Sequence, residues 1–488
     1  MEYDAIWLGG GAAGRFGAAF HKALGGKPLI IEMCHLGGQC HQSRCAFENF
    51  IYDQASMADL LRLYSGKSWY PKFNLKGISM AKACKTYRDV GQKAFAEVMA
   101  FQTTQQLKVE VVWGEGEVLN KNTVKVNGRK YHGKALVIGT GSRPAIPGIP
   151  GVNLKGVMTY LDHPEVRKDP KRLVVIVGGK IGIGKAAMFR AFGVDVTVLE
   201  QETCLPKWDK DVREFIFRNL GLRKVKIHEG VEVTEIRGKG KVESVVARVN
   251  GKARIFPCDA VMLSVGLTPN SEIGRPLGVK IGADNEIVVN DKLETTVPGV
   301  YAVGDVAGPP YFMALARKRG MVAAKNIFGI ESRMDYSFVP DHIYVPPLEA
   351  TCVGLTEEEA RKRYKHVVVI KVPVGERPKR TKTEKFIPGY PGNALPVCGR
   401  MHTLNLLYYG KNINGMLKAI IDADTRRYLG FHHVGDGAKV SFQYLSYLLK
   451  TGWTVDQMTE LNEVFLNAEH FIQLTRLIGG YKELIDLC

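Results

Sequence analysis

Two stretches of the chain share one pattern of apolar and polar positions. In the first, the apolar run Ala5-Ile6-Trp7-Leu8 stops at Gly9-Gly10-Gly11-Ala12-Ala13-Gly14, a helical stretch follows, and a second run, Leu29-Ile30-Ile31, closes on Glu32. Short apolar runs bounded by glycines read as buried strands, so the pattern predicts strand, glycine turn, helix, strand and acid. Gly9 allows the tight turn, Gly11 lets a pyrophosphate approach the backbone, and Gly14 permits close helix–strand packing. The helix N-terminus then faces the phosphates, and Glu32 is placed to accept a ribose hydroxyl. In the second stretch, Leu173-Val174-Val175-Ile176-Val177 leads into Gly178-Gly179-Lys180-Ile181-Gly182, and Val196-Thr197-Val198-Leu199 ends at Glu200. Here Lys180 stands where the middle glycine belongs, with Gly178 and Gly182 as cofactor contacts. An acid at Glu200 favours the free ribose 2′-hydroxyl of NADH and repels a 2′-phosphate.

Two further segments bracket the second unit. Leu136-Val137-Ile138-Gly139-Thr140-Gly141 is a strand and glycine turn leaving the first unit, and the segment ending Tyr301-Ala302-Val303-Gly304-Asp305 returns to it. A return strand ending in Gly304-Asp305 suits a carboxylate beside the ribityl chain of a flavin. The first unit is therefore expected to bind FAD and the inserted unit NAD(P)H, with NADH favoured. Gly139, Thr140, Gly141 and Gly266 join the expected cofactor contacts. The expected division is an FAD domain over 1–150, a nicotinamide domain over 151–290, a return segment over 291–335 and a C-terminal domain over 336–488. In that last part, strand-like segments near 367–372, 404–409 and 417–422 precede helical ones near 438–451 and 469–477, an α+β order. The fold class expected is α/β, with two Rossmann-like domains, the second inserted into the first.

A chain of 488 residues, 45% hydrophobic and 24% charged, has the composition of a multidomain globular protein. The formal charge of +18 changes little, because the basic residues are spread along the chain. Only the run around Arg377-Pro378-Lys379-Arg380 is dense, and no nucleic-acid-binding pattern surrounds it. A basic field that steers anionic substrates and cofactors is expected, without nucleic acid. The N-terminus lacks the features of a signal peptide and no apolar run approaches a membrane span, so a cytoplasmic location is expected. Nine cysteines are too sparse and odd in number for a disulfide scaffold. Cys40 and Cys45 alone are placed like a functional pair, and in a reducing compartment such a pair points to catalysis. No metal site is expected.

This order of FAD unit, Cys-x4-Cys, inserted NAD unit, Gly-Asp segment and C-terminal domain resembles the flavoprotein pyridine nucleotide-disulfide oxidoreductases along essentially the whole chain. Gly37-Gly38-Gln39-Cys40-His41-Gln42-Ser43-Arg44-Cys45 is similar to their redox-active segment. The resemblance implies that Cys40 attacks substrate and that Cys45 exchanges electrons with the flavin. It also implies a C-terminal dimerisation domain, and a homodimer whose subunits share each active site. The usual members carry a His-Pro-Thr-x-x-Glu segment whose His–Glu pair protonates the leaving thiolate. Here Phe465 replaces the histidine and His470 the glutamate. Phe–His at this spacing resembles a specialised branch, the 2-oxopropyl-coenzyme M oxidoreductase/carboxylases. These cleave a thioether and trap the released enolate with carbon dioxide.

Within that resemblance Arg15 and Arg317 match the arginines that hold the substrate sulfonate, and Met99 and Gln473 match residues lining the pocket. The substrate implied is a small anionic thioether or disulfide, with carbon dioxide as a second reactant. The chain departs from that branch near the carbon dioxide site. Gln42 replaces one histidine, Ala96 replaces another, and Phe47 replaces a proline. A last departure is paired. The family's common lysine after the second cysteine is Glu48, and its glutamate in the second glycine helix is Lys185. A reversed Glu48–Lys185 ion pair beside the flavin is expected, which makes Lys185 a further cofactor-side residue.

Overall fold

The computed structural model describes residues 2–66, 71–75, 77–374, 415–435 and 438–460. Both glycine units form as the apolar pattern predicts. A seven-stranded sheet runs in the order Glu110–Trp113, Pro28–Glu32, Glu2–Leu8, Arg129–Ile138, Thr123–Val126, Glu117–Asn120, and Val300–Ala302 pairs with Arg129–Ile138. The strands Pro28–Glu32, Glu2–Leu8 and the 135–138 end of Arg129–Ile138 are parallel and buried, so they carry continuous apolar runs rather than alternation. Because Val300–Ala302 adds in parallel to Arg129–Ile138, the first unit is discontinuous.

The inserted unit is a parallel five-stranded sheet, in the order Lys226–His228, Asp195–Leu199, Arg172–Ile176, Ala260–Leu263, Val157–Met158. The crossing back comes earlier than the boundary at 290 expected from sequence. Leu267–Pro269 pairs antiparallel with Ser142–Pro144, and Val279 and Ile287 pack in the core of the first unit with Ile6, Leu8 and Ile138. The segment between them has little regular structure, which is why its pattern gave no boundary signal.

The third unit is a five-stranded antiparallel sheet, in the order Asp341–Val345, Leu348–Gly354, Tyr428–Gly435, Gly415–Asp422, Val367–Val374. Helix Ala438–Lys450 packs on it through Phe442, Leu445, Leu448 and Leu449. A buried lysine joins this sheet to the nicotinamide unit. Lys418 is 1% exposed and reaches Asp209, Asp211 and Glu357 at 2.8, 2.7 and 2.8 Å. Three acceptors for three N–H donors leave that charge fully satisfied. The segments expected near 404–409 and 469–477 lie outside the described residues.

Candidate active site

The cysteine pair sits where a short helix, Gln39–Gln42, meets a long one, Cys45–Tyr64. The four-residue spacer folds back so that the sulfurs lie 3.3 Å apart, Cys45 donating to Cys40. That hydrogen bond holds the Cys40 thiol below its ordinary value, against burial and with help from the Arg44 and Arg317 charges. The same bond, burial and the negative charges of Cys40 and Glu48 push Cys45 far up. The geometry thus sets the two sulfurs side by side, within reach of forming a disulfide.

Around Cys40 the nearby charge is largely positive. Arg15 is 8% exposed, and its Nε and Nη2 donate to Thr103 Oγ1 and Gln102 Oε1 at 2.8 and 2.9 Å. Thr103 donates in turn to the Met99 carbonyl one turn earlier in the helix. Arg317 stacks on Phe16, 4.5 Å from the ring centroid, and its buried Nε has no partner among the described residues. Burial and the Arg317 charge lower Arg15, and burial followed by the Arg15 and Arg317 charges lowers His41. The two guanidiniums lie close enough for the Arg317 charge to lower Arg15, as an anion clamp of the expected kind would need. Phe465, His470 and Gln473 lie outside the described residues.

A cavity of about 960 Å³ opens on the cysteines and runs back along the first unit. It is lined by Gly9, Gly11, Glu32, Cys40, Cys45, Gly139, Thr140, Gly141, Gly304 and Asp305. A Cβ on Gly11 would meet nothing within 4 Å, whereas one on Gly14 would lie 1.9 Å from the Gly9 carbonyl oxygen. The turn is therefore open toward the cavity and closed toward the strand, as a pyrophosphate cradle requires. These residues fit FAD. Glu32 has a second task, because it accepts from the Gly10, Cys34 and His35 amides at 2.6, 2.7 and 3.1 Å and so staples the turn. Gly266, with φ +113°, lies outside the cavity lining and joins the crossing strands through the Ala145 amide.

The second turn corrects the register expected for it. Glu200 accepts from the Gly178 amide at 2.7 Å just as Glu32 accepts from Gly10, each pair 22 residues apart. Gly178 thus corresponds to Gly10, the middle glycine is Gly179, and the missing first glycine is Val177. Gly179 caps helix Lys180–Ala191 with φ −68°, matching φ −67° at Gly11, and a Cβ there meets nothing within 4 Å. Lys180 is the first helical residue and turns away to Asp341 at 2.7 Å. The second cradle is intact.

Residues 3–326 match the pyridine nucleotide-disulphide oxidoreductase family model, and residues 339–464 match that family's dimerisation domain. This chain belongs to the pyridine nucleotide-disulfide oxidoreductases. Members of the family use FAD and NAD(P)H, and the dimerisation domain supports a homodimer. The mercuric reductase of Lysinibacillus sphaericus is 26% identical over 98% of this chain and 82% of its own length. The dihydrolipoyl dehydrogenase of Thermus scotoductus is 30% identical over 93% of each. The HOCl-induced flavoprotein disulfide reductase RclA of Escherichia coli shares the fold, with a TM-score of 0.79 at 22% identity over 96% of this chain and 98% of its own.

In this oxidoreductase the expected reversed pair is present, with Lys185 Nζ 3.0 Å from Glu48 Oε1. Lys185 is 1% exposed and also meets His163 Nδ1 at 3.0 Å, while Phe47 packs edge-on against His163. Burial and the Lys185 charge hold His163 neutral, well below its ordinary value. Lys185 is absent from the cavity lining; it joins the nicotinamide unit to the cysteine helix.

Sequence reasoning missed three members of the site. Arg44, between the cysteines, pairs with Asp305 at 3.1 Å and lies over the Tyr160 ring, and Tyr160 donates to Gln39. The Arg44 position in Cys-x4-Cys was a usable signal. Tyr160 and His163 carried none, since neither lies in a motif. Among the described residues no helix is long and apolar enough to cross a membrane, and no side-chain group could hold a metal ion.

Proposed function

We propose that this oxidoreductase uses NADH to cleave a small anionic organosulfur compound at Cys40. The favoured substrate is a sulfonate-bearing thioether such as 2-oxopropyl-coenzyme M, with carbon dioxide capturing the carbanion released. The observation that carries the reading is Arg317, whose charge reaches both Arg15 and the Cys40 sulfur and helps to lower each. The Cys40 thiolate attacks the thioether sulfur, an S–S bond forms, and the C–S bond breaks to leave an enolate. Carbon dioxide adds to that enolate to give acetoacetate. Cys45 then attacks the mixed disulfide, its proton passes to the departing coenzyme M sulfur, and the Cys40–Cys45 disulfide closes. FAD held along the cavity by Gly11, Glu32 and Asp305 would supply the two-electron relay from the nicotinamide that returns the disulfide to the dithiol.

Phe465 supports this reading, since an apolar group in place of an acid–base histidine keeps a proton from the enolate. In that arrangement Phe465, His470 and Gln473 come from the partner subunit and close the site over Cys40. The second reading is reduction of an anionic disulfide. It uses the same anion seat and is favoured by the disulfide chemistry of the family. Product analysis separates them. NADH, 2-oxopropyl-coenzyme M and labelled bicarbonate give labelled acetoacetate on the first reading. On the second, they give no carbon–sulfur cleavage, while coenzyme M disulfide is reduced.

A further inference from the structure

Arg319 is 2% exposed, and among the described residues no carboxylate pairs with it. A charge kept from water is costly unless it is hydrogen-bonded. Here most of the partners are backbone carbonyls. Nη1 donates to Gly304 and Gly308, both at 2.7 Å, and Nη2 donates to Pro309 at 3.1 Å. Nε donates to the Tyr336 hydroxyl at 3.0 Å, and the guanidinium lies over that ring. The whole planar fork is engaged.

The three carbonyls belong to one short loop, and that loop carries Asp305. Gly304 and Gly308 have φ +77° and +82°, a region open to glycine, so the loop's own residues do little to fix it. The guanidinium supplies the missing constraint. Asp305 lines the cavity, where its Oδ2 accepts from Arg44 at 3.1 Å and from Ser142 at 2.8 Å. Its Oδ1 has no partner among the described residues. One oxygen thus holds the cysteine segment, and the other is left for a hydroxyl of the cofactor. Arg317 stands two residues before Arg319 on helix Met313–Ile327, a spacing at which side chains do not face each other. Arg319 is separate from the anion clamp.

We propose that Arg319 is a positioning residue for FAD, acting through Asp305. Its fork fixes the backbone from Gly304 to Pro309, so that Asp305 meets Arg44 and the cofactor together. Lysine carries its donors on a single nitrogen, whereas Arg319 donates from three. Buried charges often stabilise a fold no more than apolar residues of similar volume do, which favours a role in cofactor binding over one in folding. The proposal does not depend on which organosulfur substrate Cys40 takes.

The test is release of FAD from the full-length holoenzyme on dilution, followed by the rise in flavin fluorescence. Arg319→Met and Arg319→Lys should each weaken FAD binding by roughly ten- to a hundredfold, the worth of a hydrogen bond to a charged group. Asp305→Asn should weaken it comparably, and Asp305→Asn/Arg319→Lys no further than the weaker of the two single variants. NADH binding by the FAD-free variants should match that of the FAD-free wild type, because that cradle lies in the inserted unit. If Arg319→Met does not fold, Arg319→Lys carries the comparison. The proposal is overturned if Arg319→Lys holds FAD like the wild type, or if its effect adds fully to that of Asp305→Asn. It is equally overturned if NADH binding falls in step with FAD binding, because the change would then be a general loss of structure.

Discussion

The two glycine units, expected to take different nucleotides, share nearly one geometry, and their differences show what each glycine is for. Gly14 and Gly182 are interchangeable in role, since an added Cβ would lie 1.9 Å from the Gly9 oxygen in one unit and 2.1 Å from the Val177 oxygen in the other. The first turn residue is not. Gly9 has φ +98° and Val177 has φ +77°, both in the left-handed region. At Gly9 a Cβ would also stand 2.5 Å from the Gly139 oxygen, whereas Val177 packs with the core around Val174 and Ile176. A positive φ alone costs a β-branched residue on the order of 1–3 kcal/mol, which a large domain tolerates. A backbone collision it does not. Three residues past the packing glycine the units part again. Gly17 lets helix Ala12–Ala23 cross helix Met313–Ile327 closely, while Lys185 crosses to Glu48.

Exchanging the distinguishing residues tests the comparison, and the largest effect belongs to the first turn. Gly9→Val should cost more than about 3 kcal/mol and release FAD, read by urea midpoint and flavin fluorescence. A stable, flavin-loaded Gly9→Val protein would make the two turns equivalent after all.

The next effect is the Glu48–Lys185 cycle. Replacing one partner should destabilise by roughly 2–4 kcal/mol, and the double variant by less than the sum of the two. Strictly additive losses would mean two independent side chains. Burial pushes the Glu48 carboxyl up, but the Lys185 charge and hydrogen bond hold it below its ordinary value. The stabilisation is therefore present above the unfolded carboxyl pKa and lost as pH falls through the lower folded one.

A smaller effect separates the nicotinamides. NADH should reduce the flavin at least about tenfold faster than NADPH at equal concentration, if Glu200 meets the 2′-position as expected from its place after the second unit's strand. A clear NADPH preference in stopped-flow reduction contradicts it. The smallest effect is Val177→Gly, where relief of backbone strain is offset by chain entropy and by the packing lost beside Val174 and Ile176. Its stability should change by no more than about 1 kcal/mol, with nicotinamide binding intact.

Much of this was legible in the sequence because the features are local. The strand–turn–helix pattern, the Cys40–Cys45 spacing and the acids Glu32 and Glu200 each sit in a short window. Glu48 and Lys185 are 137 residues apart, yet counting from Cys45 and Gly178 paired them. The register of the second turn was not legible. Gly178-Gly179 offers two adjacent glycines, and only the Glu200 hydrogen bond shows which one matches Gly11. The return crossing was misplaced for a related reason, since residues 264–299 pack through scattered positions such as Val279 and Ile287 rather than by a periodic run. Arg44 and His163 act through partners far along the chain, Asp305 and Lys185, which no local pattern announces.

The central claim is that Cys40, with Arg15 and Arg317, takes the sulfur of a small anionic substrate. The most direct measurement uses reduced Cys45→Ser protein, in which a mixed disulfide at Cys40 cannot be resolved, exposed to 2-oxopropyl-coenzyme M and examined by peptide mass spectrometry. The account predicts a stoichiometric coenzyme M adduct on Cys40 alone, with Arg15→Ala or Arg317→Ala requiring roughly ten- to a hundredfold more substrate to reach it. No adduct on Cys40, or an adduct formed equally well without either arginine, would contradict it.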